Sequence, residues 1–118
     1  MSESIVGKKS FDFAIIIVNF YRKFIVDKKE YVLSKQLLRS GTSIGANVRE
    51  ALNAQSRLDF IHKLSISQKE CDETIYWLEL LFETQYISKE EFEKLKNPAV
   101  EILKIIRSII ITTKGKNS

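Results

Sequence analysis

Ser40-Gly41-Thr42-Ser43-Ile44-Gly45-Ala46 is the stretch on which the fold turns. Read locally, two glycines and three hydroxyl residues in seven positions look like a helix breaker. Each glycine costs a helix interior about 1 kcal/mol relative to alanine. The flanks point the other way. Leu33, Leu37, Ile44, Val48 and Ala51 keep one helical register through the stretch, and a loop has no cause to preserve that phase. We therefore read residues 31–54 as one helix whose small side chains admit a neighbouring helix closely. The competing reading is a loop that splits it.

Three more amphipathic segments surround it. In residues 10–26, Phe11, Ala14, Val18, Tyr21 and Ile25 follow helical spacing, and so does a second set, Phe13, Ile17, Phe20 and Phe24, one step round the wheel. The apolar arc is wider than the roughly 100° that a surface helix of a monomer needs. Either this helix lies deep in its own bundle, or part of the arc meets another subunit, with Phe13, Ile17, Phe20 and Phe24 as the candidate subunit interface. Residues 58–85 carry the stripe Phe60, Leu64, Cys71, Ile75, Leu78 and Phe82, with Ser56 as N-cap. Residues 88–112 open on a capping box, Ser88 with Glu91. Phe92, Leu95, Ile102, Ile106, Ile109 and Ile110 follow, and Pro98 predicts a kink or restart near Asn97. The polar tail from Lys114 to Ser118 is expected to fray. Short links make neighbours antiparallel, so the fold class is all-α, an up-down-up-down four-helix bundle in a single domain over residues 1–118.

Composition agrees. The chain has 118 residues, 44% of them hydrophobic and 29% charged, with one proline and four glycines. That suits one helical domain with a real core and argues against many strands and turns. Lys8 and Lys9 precede an apolar run, but Asp12, Arg22 and Lys23 interrupt it, so we read neither a signal peptide nor a membrane span. The expected location is the cytoplasm.

The search for reaction chemistry is short. Cys71 and His62 are the sole cysteine and histidine. A zinc site built by one chain lacks its usual ligands, and a di-iron bundle needs Glu-x-x-His pairs that are missing here. We expect no metal, no cofactor and no enzyme activity. Phosphate loops and nucleophile elbows are also missing from the sequence.

Two polar constellations remain. Ser43, Asn47 and Glu50 share one helix face at steps of four and three, which fits a register-setting polar network or, alternatively, a polar pocket. Lys35, Arg39, Arg49 and Arg57 are candidate phosphate contacts, since a guanidinium fork binds phosphate bidentately. The net charge is +4. Residues 58–87 alone are acidic, at a net −4, while the other segments are basic. Such faces can pair within a bundle or between subunits.

Three runs are distinctive: Leu33-Ser34-Lys35-Gln36-Leu37-Leu38-Arg39-Ser40 continuing through Gly41 to Ala51, then Asp59-Phe60-Ile61-His62-Lys63-Leu64-Ser65-Ile66, then Glu70 through Thr74 with Tyr76-Trp77-Leu78-Glu79-Leu80-Leu81. They strongly resemble the bacterial four-helix-bundle proteins of the 23S rRNA intervening-sequence family, from about Phe11 to Ile110. The resemblance implies an up-down bundle and a homopentameric ring, in which the wide arc of the first helix meets a neighbour. It implies an RNA-related role too, because the family's genes often lie within insertions in ribosomal RNA genes. A related group, the accessory variability determinant of diversity-generating retroelements, is a basic pentameric barrel that partners a reverse transcriptase and nucleic acid. Where family members often carry glycine, Ala51 follows Glu50, so the helix should run on. The function expected is a non-catalytic homo-oligomer that binds RNA, DNA or a ribonucleoprotein through basic side chains. The alternative is a protein–protein scaffold that binds no nucleic acid.

Overall fold

The computed structural model of the chain describes residues 4–115. Among them it has four helices: α1 Ile5–Lys28, α2 Leu33–Leu52, α3 Arg57–Glu83 and α4 Lys89–Gly115. Each packs along its neighbours in the chain, and α1 closes the arrangement against α4. Short links between adjacent packed helices make them antiparallel. The result is a rod of 50 × 23 × 23 Å.

The helix ends follow from local chemistry. Ser4 caps α1, its hydroxyl accepting from the Gly7 N–H at 3.0 Å, so the helix begins well before residue 10. Lys29 ends it in the left-handed region at φ 53°. Helix α2 has no side-chain cap on Val32. Instead the Glu30 carboxylate accepts from the amides of Val32 (2.9 Å), Leu33 (2.8 Å) and Ser34 (2.8 Å). Ser56 and Ser88 cap α3 and α4 as expected, accepting from Asp59 N–H at 3.0 Å and Glu91 N–H at 3.1 Å. Of the kink or restart expected near Asn97, the restart does not occur: α4 continues through Pro98. It continues through Lys114 as well, where fraying was expected; the rest of that tail, residues 116–118, lies outside the described residues.

The glycine-rich stretch is helical, and its glycines are the reason α1 and α2 lie so close. A methyl on Gly41 would meet Ile17 Cγ1 and Cγ2 at 3.0 Å, and one on Gly45 would meet the Ser10 carbonyl oxygen at 3.1 Å. Phe13, Ile17, Leu37, Ile44, Leu64, Leu78, Leu81, Ile102 and Ile106 fill the core. Buried hydroxyls are satisfied inside it: Ser67 Oγ donates to the Ile44 carbonyl across α2 and α3 at 2.8 Å, and Thr74 Oγ1 lies 3.0 Å from Ser40 Oγ.

Candidate functional site

Helix α1 carries two seams. The inward one, Val6, Ser10, Phe13, Ile17 and Phe24, is buried in the chain's own bundle. This corrects the expected subunit interface. Phe13 and Ile17 are fully enclosed, Phe24 is buried, and Phe20 is half-buried against the core and stacked on Phe24. The physical reason is the α2 surface: Gly41 and Gly45 open a channel for the Ser10–Ile17 side of α1. Of the other set, Ala14, Tyr21 and Ile25 are half-buried and only Phe11 (51% exposed) and Val18 (37%) turn outward; with Ile15 (47%) and Arg22 they stand at spacings of four, three and four. At 100° per residue that places them within an arc of roughly 60°. Such a 3–4 repeat is what a helix presents to another helix.

The seam borders a groove between α1 and α2 of about 700 Å³. Gly7, Ala14, Gly45 and Ala46 make its sides low, while Phe11 and Leu52 make it apolar. Arg49 covers one end, its guanidinium 5.4 Å from the centre of the Phe11 ring, a cation–π contact. Lys8 and Asp12 pair on the rim at 2.9 Å.

The four candidate phosphate contacts do not form one patch. Arg39 is turned to α3, where it pairs with Glu73 and, at 3.4 Å, with Glu70. These carboxylates raise its pKa further. Arg49 is on the opposite flank of α2, against α1. Lys35 is exposed one turn before Arg39, and Arg57 is exposed in the first turn of α3.

The expected polar network is likewise rearranged. Ser43 Oγ donates to the Arg39 carbonyl at 2.7 Å and Asn47 Nδ2 to the Ser43 carbonyl at 2.9 Å, both within α2. Glu50 leaves the set to pair with Lys63 at 2.8 Å. The hydroxyls that bridge helices are Ser40, Ser67 and Thr74. The signal for two of them was present in the α3 stripe, where Ser67 and Thr74 continue the Leu64, Cys71, Leu78 register.

Burial pushes the Cys71 thiol up to about 12, so it is protonated and a poor nucleophile at neutral pH. His62 is exposed on α3. Among the described residues no group of three or more His, Cys, Asp or Glu is placed to hold a metal ion, and no helix is long and apolar enough to cross a membrane.

Fold and face together define a class: a four-helix bundle in which one apolar helix face is uncovered among the described residues. Within that class the chain belongs to the 23S rRNA-intervening sequence protein family, whose description matches residues 2–108. It is also similar to a solved structure from Bacteroides thetaiotaomicron, a protein of unknown function from the S23 ribosomal protein family. The two are 59% identical with a TM-score of 0.86, over 90% of this chain and 98% of that one. No curated protein matches.

Proposed function

We propose that this protein is a non-catalytic, homo-oligomeric helical bundle, assembled as a pentameric ring in the cytoplasm, that binds nucleic acid or a ribonucleoprotein through its basic side chains. The observation that carries the self-association is the outward seam of α1. Phe11, Ile15 and Val18 add an exposed apolar stripe to a helix whose other seam already fills the core. Contiguous exposed apolar surface of this kind marks an interaction site. The nucleic-acid part is supported by the net charge of +4 and the family's link to 23S rRNA. Assembly repeats each exposed lysine and arginine once per copy, so weak phosphate contacts add. Lys35 and Arg57 are the residues to carry them; Arg39 is engaged with Glu70 and Glu73, and Arg49 lies against Phe11.

Titration of the protein with structured and single-stranded RNA and DNA at two salt concentrations tests the binding. Affinity should fall steeply with salt, as phosphate contacts require; no binding at low salt removes the nucleic-acid part. That same engagement of Arg39 favours a second reading, a protein–protein scaffold. A nuclease-resistant pull-down that recovers one protein in fixed proportion supports it.

A further inference from the structure

The self-association reading leaves open what the outward seam of α1 meets. We infer that it meets the outer face of α3 of another copy, so that contacts run head to tail. This inference rests on that reading and goes beyond it by naming the partner face. On the α1–α2 face Lys8 pairs with Asp12 and Glu50 with Lys63, which leaves Arg22, in the seam, and Arg49, beside the groove, outside any ion pair among the described residues. Two such faces brought together would oppose like charges. The complement lies on α3, the one acidic segment of the chain. There Asp72, Tyr76, Glu79 and Glu83 are exposed at spacings of four, three and four, the same repeat as Phe11, Ile15, Val18 and Arg22.

Tyr76 is 55% exposed, with half-buried Leu80 one turn on. These two make an apolar ridge with carboxylates along its edge. Tyr76 has the shape and chemistry to enter the groove beside Phe11 and Arg49, an aromatic anchor of the kind that dominates interfaces. Among the described residues Arg22, Glu79 and Glu83 have no ion-pair partner. Each face thus carries charge left unmatched among the described residues. A contact between two different faces propagates, closing into a ring when the rotation allows.

Charge reversal separates the possibilities. One variant carries Arg22→Glu with Arg49→Glu, a second carries Glu79→Arg with Glu83→Arg, and a third carries all four changes. All four positions are exposed, and circular dichroism checks that each variant folds. Light scattering should show the wild type assembled and both two-site variants dissociated at micromolar concentration. The four-site variant, its faces exchanged in sign, should reassemble. An assembled wild type with the α3 variant still fully assembled overturns the head-to-tail contact while leaving self-association standing. So does a four-site variant that fails to reassemble. A monomeric wild type overturns self-association itself, and this inference with it.

Discussion

Gly41 lies directly beneath Ile17, so that a single added methyl group would stand 3.0 Å from both branches of the isoleucine. Alanine gains about 1 kcal/mol over glycine in a helix, but overpacking a tight core costs about 1–3 kcal/mol. Ile17 is fully enclosed and has nowhere to move. At Gly45 the obstacle is the Ser10 backbone, at 3.1 Å, which yields less readily than a side chain. Both Gly41→Ala and Gly45→Ala should therefore lower stability, by about 1 kcal/mol net. Urea denaturation checks this; a gain in stability at either site would mean that α1 and α2 are not in close contact there.

The Glu30 cap predicts a dependence on pH. Partial burial raises the carboxyl pKa, but hydrogen bonds from the amides of Leu33, Ser34 and Val32 and from the Ser34 side chain outweigh it, so the net shift is downward from 4.5. A carboxylate with a lowered folded-state pKa contributes stability above its unfolded value and loses it as pH falls through the folded value. Glu30→Ala should cost about 1 kcal/mol at neutral pH, in the range of other N-cap losses. The gap between wild type and variant should narrow as pH falls below 4.5 and close as it passes the lowered folded value, where wild-type Glu30 takes up its proton. A gap independent of pH would assign the effect to something other than the ionised cap.

Arg39 and Lys35 should behave differently although they sit one turn apart on α2. Arg39→Ala strands Glu70, whose side chain is largely buried and whose Oε1 has no hydrogen-bond partner. It should destabilise the fold by about 1 kcal/mol, the upper end for a half-exposed ion pair. It should leave the salt dependence of nucleic-acid binding unchanged. Lys35→Ala should reduce the salt slope by about 1 while changing stability by less than about 0.5 kcal/mol. Chemical denaturation together with salt titration separates the two patterns.

The helical count and the order of the bundle were legible because register survives weak local signals. Leu37, Ile44 and Val48 kept phase through two glycines, and all three are buried. Serine caps at Ser56 and Ser88 were legible for the same kind of reason, being encoded within a few residues. What periodicity does not encode is which of two equivalent seams faces inward. On α1 that choice is made by α2, through Gly41 and Gly45, and the seam containing Phe13 and Ile17 went in while the one containing Phe11 stayed out. The assignment of Arg39 depended similarly on Glu70 and Glu73, over thirty residues away. The Glu30 cap escaped notice because glutamate is not among the usual capping residues and acts here from before Val32. Local rules found the helices; the placement of the candidate face needed the packing.

Self-association through the outward seam is the claim on which the rest depends, and the mass of the protein in solution tests it most directly. Multi-angle light scattering at micromolar concentration should give the wild type a mass of five chains. Ile15→Glu, which puts a charge at the middle of the exposed seam, should give the mass of one folded chain. A wild type that scatters as a single chain, or an Ile15→Glu variant that assembles as fully as the wild type, would contradict the account.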